Sequence, residues 1–351
     1  MKVMVAMSGG VDSSVAAALL VEQGHEVVGV TMRLWGGESD TGCCSVSDVD
    51  DARRVAQQLG IDHLVFNFSD DFNEHVVDPY VSAHAAGITP NPCIECNRHV
   101  KFARLSERAA LLGFDAVATG HHARVTLASS RLELERGFDR AKDQSYVVHM
   151  IDSTELERTM FPVGDMNKSD VRAHAGRLGL RTASKPDSQD VCFITSTGGR
   201  TTFLGKRIPF RPASVVDSAG AVLGSVPAVE MVTLGQRRGI GLPGGGPKRF
   251  VVDIDVEAAV VTVGDESDLL VDSQAVGEMT WVHGSSSIEA YESVLVQCSA
   301  HGTPLPATVA ASAASGVVVE WSGPQRRIAP GQSVVLYDPS DRFVLGGGIA
   351  R

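Results

Sequence analysis

The sequence is poor in aromatic residues and in cysteine. Aromatic residues make up 5% of the 351 positions, and there are six cysteines. Six thiols are too few for a disulfide framework in a chain of this length, so we expect reduced cysteines that are available for catalysis or metal binding. With 43% hydrophobic and 21% charged residues, the composition is that of a globular protein and excludes disordered and fibrous classes.

Long apolar runs are missing as well. No stretch approaches the roughly 18 apolar residues of a membrane-spanning helix, so no membrane partner is expected. The apolar run at the N-terminus is broken by Ser8, Gly9 and Gly10 and contains Asp12, which is not the pattern of a secretory signal peptide. These absences predict a cytoplasmic protein.

Positive charge is in deficit over the whole chain, with 31 Lys and Arg against 42 Asp and Glu and a net charge of −11. Taken alone, this balance disfavours a polyanionic partner. Residues 200–250 nevertheless contain eight basic and two acidic residues, about +6 in total. A basic region of this kind suits phosphate contacts, and we expect its adjacent pair, Arg237 and Arg238, to contact a nucleic acid.

The order of predicted elements indicates an α/β protein followed by two β-rich units. Strands predicted at 3–7, 25–34, 63–68 and 115–119 alternate with helices at 13–23, 49–59 and 97–112. Helices of this length between strands are typical of parallel βαβ units, which bind ligands at the carboxyl ends of their strands. After about residue 198, short β-branched runs predict a small central β-rich domain and a C-terminal barrel or sandwich. The expected domains are 1–198, 199–268 and 269–351.

The segment SGGVDSS, residues 8–14, follows the first predicted strand and opens the first helix. Gly9 and Gly10 let the backbone approach an anion, while the N–H groups of the helix start and the hydroxyl groups of Ser13 and Ser14 supply donors. The segment has neither the Gly-Lys-Ser/Thr ending of a Walker A loop nor the GxGxxG pattern. It predicts a pyrophosphate-binding loop, in which Asp12 is either a Mg²⁺ ligand or a helix cap.

Two further segments place cysteines in polar surroundings. In TPNPCIECNRHVKF, residues 89–102, we expect Asn97 to cap the following helix, so that Cys96 lies beside a helix N-terminus where a thiol pKa falls. The alternative is that Cys93 and Cys96 are half of a zinc site, although no second pair completes four ligands. Cys192, in SQDVCFI, is either an accessible thiol or a small buried apolar residue.

Seven segments, taken in order, closely resemble the bacterial tRNA-specific 2-thiouridylase (MnmA) family of PP-loop ATP pyrophosphatases. They are SGGVDSS, TPNPCIECNRHVKF, ATGHH, KDQSY, SQDVCFI, LGQRRG and PGQSVVLYD, and they span nearly the whole chain. The resemblance implies a PP-loop domain, a central domain and a β-barrel. It also implies that ATP adenylates the C2 oxygen of the anticodon wobble uridine and that a protein persulfide then supplies the sulfur of 2-thiouridine.

By position in these segments, the resemblance implies that Cys192 carries the persulfide and that Cys96 is the second catalytic thiol, which ends in a Cys96–Cys192 disulfide. It implies no resident metal ligand, although Mg²⁺ accompanies ATP. The other implied partners are tRNA and a sulfur donor of the cysteine desulfurase or persulfide relay type. The ATP contacts would be Ala6, Met7, Ser8, Gly9, Gly10, Val11, Asp12, Ser13, Met32 and Gly120, and the tRNA contacts would be Asn91, Pro92, Cys93, Lys142, Asp143 and Gln144.

Alternatives remain at several of these positions. Lys142 has acidic neighbours and also fits a solvated surface. Cys93, Cys96 and Cys192 could together hold an iron–sulfur cluster in a cluster-dependent thiolase. Beyond tRNA thiolation, a PP-loop ligase acting on a small molecule would not need the cysteines, and a noncatalytic iron–sulfur or RNA-binding protein leaves SGGVDSS unexplained. Cys43 and Cys44 are adjacent and receive no catalytic role, and Cys298 is expected in a core.

Overall fold

The structure is a computed structural model that describes residues 1–35, 46–128, 130–187, 191–194, 198–243, 246–284, 291–312 and 316–351. Cys43, Cys44 and residues 188–190 of the SQDVCFI segment lie outside the described residues. The α-helices are α1 (Val11–Glu22), α2 (Val46–Leu59), α3 (Ser69–Phe72), α4 (Asp78–Ala85), α5 (Pro92–Glu95), α6 (Leu105–Leu111), α7 (Ser153–Leu156), α8 (Lys168–Arg177) and α9 (Gly199–Gly205).

The β-strands alternate with these helices in the first half of the chain and follow one another in the second. They are β1 (Lys2–Ala6), β2 (Glu26–Arg33), β3 (Asp62–Asn67), β4 (Ala116–Ala118), β5 (Ala123–Ala128), β6 (Arg131–Arg136), β7 (Thr159–Met160), β8 (Ala213–Val216), β9 (Val222–Val226), β10 (Phe250–Asp255), β11 (Val260–Gly264), β12 (Leu270–Trp281), β13 (Tyr291–Gln297), β14 (Leu305–Ala311), β15 (Val317–Arg326), β16 (Ser333–Tyr337) and β17 (Val344–Ala350).

The N-terminal sheet is parallel and has the strand order β3-β2-β1-β4-β7. The inner strands β1, β2 and β4 are largely buried, as in parallel sheets covered by helices on both faces, whereas Leu64 and Val65 of the edge strand β3 are exposed. Helix α1 is buried along Ala16, Ala17 and Leu20 and packs with Val171 and Ala175 of α8 in one core. The parallel α/β prediction is confirmed, and it brings the carboxyl ends of β1, β2 and β4 to one edge.

The second half of the chain forms two further sheets. A four-stranded sheet has the order β10-β11-β8-β9, and a closed barrel has the order β12-β15-β14-β13-β16-β17. The barrel interior is filled by side chains that alternate along the strands, including Val276, Val309 and Val319. The prediction of a small β-rich unit followed by a barrel is confirmed.

The hairpin of β5 and β6 was not among the predicted elements. Its strands pair antiparallel from Ala123 with Arg136 to Ala128 with Arg131. A bridge between Glu135 and Phe343 and a hydrogen bond from the Arg136 N–H to the Arg342 carbonyl join the hairpin to the barrel. The hairpin therefore connects the parallel-sheet region to the barrel.

A continuous helical stretch over 92–111 replaces the helix predicted at 97–112. It consists of α5, a π-helical segment at Cys96–Arg104, and α6. Within the described ranges, no helix combines the length and apolar character needed to cross a membrane.

Candidate nucleotide and thiol site

The turn between β1 and α1 is shaped for an anion. Gly9 has φ +71°, and a Cβ there would lie 2.4 Å from the Asp48 carbonyl oxygen, so only glycine fits. Gly10 is the N-cap of α1, and its carbonyl accepts hydrogen bonds from the Ser14 hydroxyl at 2.7 Å and the Ser13 hydroxyl at 3.2 Å. The Ser8 N–H donates to Ser13 Oγ at 3.2 Å. The loop is thus held open at the N-terminus of a 12-residue helix.

Two residues predicted to contact ATP, Met32 and Gly120, lie at the ends of the strands on either side of β1. Gly120 follows β4, and a Cβ there would lie 2.5 Å from the Ser13 backbone nitrogen. Met32 is half-buried near the end of β2, next to β1 in the sheet. Strand register therefore brings Met32, Gly120 and the loop after Ala6 to one edge of the sheet. The remaining loop residues, Met7, Val11 and Asp12, belong to the same turn and first helical turn.

Lys168 and Lys185 lie beside this loop and were not predicted. Lys185 Nζ donates to the Gly9 carbonyl at 2.9 Å and pairs with Asp48 and Asp51 at 2.6 and 2.8 Å. Lys168 Nζ contacts both carboxylate oxygens of Asp12, at 2.7 and 2.6 Å. Because both lysines are far from SGGVDSS in the sequence, local sequence patterns do not predict these contacts. The polar segments MNKSD and ASKPD, which contain the two lysines, are the available signal.

The Asp12 carboxylate is already hydrogen-bonded to basic side chains of the protein, Lys168 and His122. Burial opposes ionisation of this carboxyl group, but hydrogen bonds from His122 and Lys168 and the charge of Lys168 outweigh it, so the pKa of Asp12 is lowered. Its oxygens are therefore already neutralised by an ammonium group. The described part of the chain contains no group of three His, Cys, Asp or Glu side chains arranged to hold a metal ion. These residues do not fit a protein-held Mg²⁺.

The start of the cysteine helix differs from the prediction. Asn91, not Asn97, is the N-cap, since its side chain accepts a hydrogen bond from the Cys93 N–H at 3.1 Å. Asn97 is buried inside the helix and donates to the Val147 carbonyl at 2.6 Å. The cap prediction was wrong because Pro92 already fits the first helical turn, so the N-cap lies six residues earlier, at Asn91. Cys93 therefore lies at the helix start, and the helix-terminus argument does not apply to Cys96.

Cys96 and Cys192 lie in the same apolar cluster although 96 residues separate them. Cys96 is 5% exposed, and Cys192 is half-buried next to Phe193. Phe193 is central to the cluster, with ring centroids 5.6 Å from Phe72, 5.5 Å from Tyr80 and 5.0 Å from Phe203. Met32 also packs against this cluster, which brings the thiols close to the strand end that borders the loop.

The other described cysteines have different surroundings. Cys93 is exposed one turn before Cys96, and Pro92 beside it is buried. Cys298 packs against the barrel core, and burial raises the pKa of its thiol to about 12. Within the described residues, Cys93, Cys96 and Cys192 do not assemble into a metal-binding group.

The KDQSY segment lies between the loop and the barrel. Lys142 is exposed and pairs with Asp187 at 2.9 Å. The side chain of Asp143 is 6% exposed and accepts hydrogen bonds from Arg136 at 2.7 Å and from the Ser145 hydroxyl at 2.8 Å. Gln144 Oε1 accepts from the His122 N–H at 2.9 Å, next to the His122–Asp12 contact. Tertiary contacts thus connect this segment to the loop, whereas its contact with tRNA stays a prediction.

The basic region around the central sheet is only partly neutralised. Arg211 pairs with the buried Glu230 at 2.9 Å, and Arg249 pairs with Asp265 at 3.4 Å. Arg237 and Arg238 are exposed in the turn between Gly235 and Gly239. This turn presents two adjacent guanidinium groups to solvent.

A parallel sheet with an anion-binding Gly-Gly turn before its first helix defines an α/β nucleotide-binding protein of the PP-loop class. Sequence profiles described as "tRNA methyl transferase HUP domain", "tRNA methyl transferase PRC-barrel domain" and "Aminomethyltransferase beta-barrel domain" match residues 1–196, 201–265 and 271–350. The chain belongs to the tRNA-specific 2-thiouridylase (MnmA) family.

Relatives in this family match along nearly their entire length. The tRNA-specific 2-thiouridylase MnmA of Mycobacterium tuberculosis is 48% identical, and the match covers 99% of this chain and 95% of that protein. The MnmA of Mycobacteroides abscessus is 48% identical, with 99% of both chains covered. The MnmA of Mycobacterium ulcerans is 46% identical, with 99% and 96% covered.

Proposed function

We propose that this protein is an ATP-dependent tRNA 2-thiouridylase that acts on the wobble uridine of the anticodon. The observation that carries the proposal is the shared cluster of Cys96 and Cys192, which packs against Met32 near the anion-binding loop. A PP-loop ligase for small molecules has no need for two thiols in this position. The full-length similarity to proteins named tRNA-specific 2-thiouridylase supports the same substrate.

In the proposed reaction, the C2 oxygen of uridine attacks the α-phosphate of ATP and pyrophosphate leaves. The terminal sulfur of a Cys192 persulfide then attacks C2 and AMP leaves, because adenylation has turned a poor oxygen leaving group into a good one. Cys96 attacks the Cys192 sulfur, which releases 2-thiouridine and forms a Cys96–Cys192 disulfide. A reducing dithiol must restore both thiols before the next cycle.

Positioning is the other part of the proposal. The loop residues from Ala6 to Ser13, together with Met32 and Gly120, hold ATP, and Asn91, Pro92 and Cys93 border the flipped base. Cys93 at the helix start is exposed, which supports a place on the substrate side. The tRNA contacts are made by Lys142, Gln144, Arg237 and Arg238. Asp143 holds the KDQSY segment in place through its buried contacts with Arg136 and Ser145.

The wider setting follows from this reaction. Mg²⁺ enters with ATP, and a cysteine desulfurase or persulfide relay in the cytoplasm charges Cys192. We also propose domain boundaries at 198/199 and 268/269. The positions between the matched profiles, which end at 196 and 265 and resume at 201 and 271, support this division.

The test is a thiolation assay on purified protein with ATP, Mg²⁺, a persulfide donor and unmodified tRNA, with nucleosides analysed by mass spectrometry. Cys96→Ser and Cys192→Ser should each reduce 2-thiouridine formation at least about 10³-fold, because each removes a group that forms a covalent bond in the reaction. ATP binding by both variants should be unchanged. Absence of 2-thiouridine with the unaltered protein, under conditions where ATP is bound, would refute the function.

Cys298→Ser is the matched control, since it also replaces a partly buried thiol but lies in the barrel. It should retain thiolation. Full activity of Cys192→Ser would remove the persulfide step. Iron and sulfide analysis of anaerobically purified protein separates this reaction from a cluster-dependent one, for which stoichiometric iron would be required.

A further inference from the structure

Asp187 lies inside a cluster of three cations, Lys142, Lys168 and Arg172, called the cationic cluster below. One carboxylate oxygen is 2.9 Å from Lys168 Nζ and 2.7 Å from Arg172 Nη2, and the other is 2.9 Å from Lys142 Nζ. Burial is the largest single effect and opposes ionisation, but the hydrogen bonds and charges of Lys142 and Lys168 together outweigh it and lower the pKa of Asp187 strongly. A single carboxylate thus receives three charge-assisted contacts while about a third of its side chain is exposed.

Two members of the cationic cluster, Arg172 and Lys168, are held by contacts other than the one to Asp187. Arg172 donates its other terminal nitrogen to the carbonyls of Ala183 and Lys185, both at 2.9 Å. Lys168 is 12% exposed at the start of α8, which packs against α1. These contacts hold Arg172 and Lys168 in place independently of Asp187, whereas the exposed Lys142 side chain pairs with Asp187 itself.

The cationic cluster adjoins the anion-binding loop. Lys168 Nζ bonds both to Asp187 and to Asp12 in the first turn of α1. An anion that accepted hydrogen bonds from the N–H groups of this turn would therefore lie next to the cationic cluster. Lys168 and Arg172 converge on a single oxygen of Asp187, and a multiply charged phosphate group would accept hydrogen bonds from both more strongly than a monovalent carboxylate does.

We propose that Lys168 and Arg172 bind the pyrophosphate portion of ATP, and that Asp187 occupies their site as an internal competitor when no nucleotide is bound. This inference rests on the ATP site of the proposed function. On binding, a phosphate oxygen replaces the Asp187 carboxylate at the cluster, while Lys168 keeps its contact with Asp12. Release of pyrophosphate restores the Asp187 contact, so the same carboxylate favours product release.

The test measures ATP and inorganic pyrophosphate affinity of the full chain by isothermal titration calorimetry. Asp187→Asn removes the competing charge and should tighten pyrophosphate binding by about tenfold, the size expected for one lost charge-assisted competitor. Asp187→Glu keeps the competing charge and should bind as the unaltered protein does. Lys168→Gln should weaken binding by about tenfold or more. A gain of affinity is informative because a merely structural loss would reduce binding.

Asp170→Asn is the matched control, because Asp170 is an exposed carboxylate on the same helix and lies outside the cluster. Unchanged or weaker pyrophosphate binding in a folded Asp187→Asn variant, judged by its melting temperature, would overturn the proposal. An equal gain in Asp170→Asn would also overturn it, by showing a general charge effect. If Asp187→Asn misfolds, Asp187→Ser is measured under the same criteria.

A third arm separates the two sources of phosphate. If Asp187→Asn tightens tRNA binding in the absence of nucleotide but leaves pyrophosphate binding unchanged, the cluster serves the RNA backbone and the proposal fails. Failure of the proposed function is distinct, since it would show as no ATP binding or no 2-thiouridine with the unaltered protein. Normal thiolation with no effect of Asp187→Asn would refute this inference alone.

Discussion

Gly120 shows how closely two backbone segments approach at the candidate site. It lies after β4, where a Cβ atom would come within 2.5 Å of the Ser13 nitrogen and 2.7 Å of the Asp12 carbonyl carbon. Both neighbours are main-chain atoms of the first turn of α1, which cannot rotate away as a side chain could. Any side chain at position 120 must therefore move the start of α1, whose N–H groups form the anion site.

Gly120→Ala should consequently weaken ATP binding by at least about tenfold and lower the free energy of unfolding by about 1–3 kcal/mol, as expected for overpacking. Calorimetric titration and denaturant unfolding measure the two effects. Gly176→Ala is the control, because Gly176 is exposed on α8 and a Cβ there would meet no atom within 4 Å beyond its own helix backbone. That substitution should leave ATP binding unchanged and raise stability slightly. Normal ATP affinity in Gly120→Ala would contradict the proposed placement of ATP.

Residues brought in by tertiary structure are those that sequence reasoning missed. The hydrogen bonds inside the loop, from the Ser8 N–H to Ser13 and from the Ser13 and Ser14 hydroxyls to the Gly10 carbonyl, are local, so the order strand, Gly-Gly turn and helix predicts them. Lys168 and Lys185 reach the loop from positions more than 150 residues away, and no local pattern distinguishes them from solvated lysines. Lys168 reaches Asp12 because α8 packs on α1, a tertiary contact that the local sequence does not predict.

The β5–β6 hairpin acts as an element that joins the parallel sheet to the barrel. Arg136 of β6 is buried, pairs with Asp143 and Asp341 at 2.7 Å each, and stacks over Tyr337 with its guanidinium carbon 3.4 Å from the ring centre. Glu135, 1% exposed, pairs with Arg342 at 2.6 Å. The two neighbouring residues of one strand therefore hold the turn between β16 and β17.

Arg136→Met should destabilise the protein by about 3–5 kcal/mol, because it leaves the buried Asp143 carboxylate without its cation. Urea unfolding followed by circular dichroism measures this loss. Arg53→Met removes an exposed pair with Asp50 of similar length, 3.0 Å, and should cost less than about 1 kcal/mol. Equal losses in the free energy of unfolding for the two substitutions would show that the buried network stabilises the protein no more than an exposed ion pair does.

Element boundaries were predicted well where apolar periodicity is strong and poorly where capping decides. The buried runs of β1 and β2 and the Ala-rich α1 are recognisable in isolation. The cysteine helix is not, since Asn91 and Asn97 are both good caps, and Pro92 and the burial of Asn97 against Val147 select the first. The hairpin was missed because β5 and β6 carry charged residues that are paired only in the folded protein.

At the scale of the whole molecule, the net charge of −11 coexists with an exposed pair of arginines in the central region. Phosphate contacts of this kind release counterions, so tRNA binding should weaken steeply with salt. Arg237→Ala combined with Arg238→Ala should weaken tRNA binding by about 1–3 kcal/mol and flatten the salt dependence, with ATP binding unchanged. Filter binding over a range of salt concentrations measures both.

The matched control for this prediction is a second adjacent pair. Arg53 and Arg54 are also exposed but lie on α2, away from the central sheet. Replacing both with alanine should change tRNA affinity and its salt slope little. A similar loss in both double variants would indicate that the protein responds to overall charge and not to the turn at 237–238.

Thr89 is hydrogen-bonded to both the barrel and the central region. The Thr89 N–H donates to the Pro330 carbonyl at 3.2 Å, its hydroxyl lies 3.1 Å from that of Thr233, and Gln332 donates to its carbonyl. Two residues later, Asn91 begins the helix that carries Cys96. The barrel and the central region thereby anchor the chain two residues before this N-cap, so the placement of the proposed catalytic Cys96 depends on the packing of all three parts of the molecule.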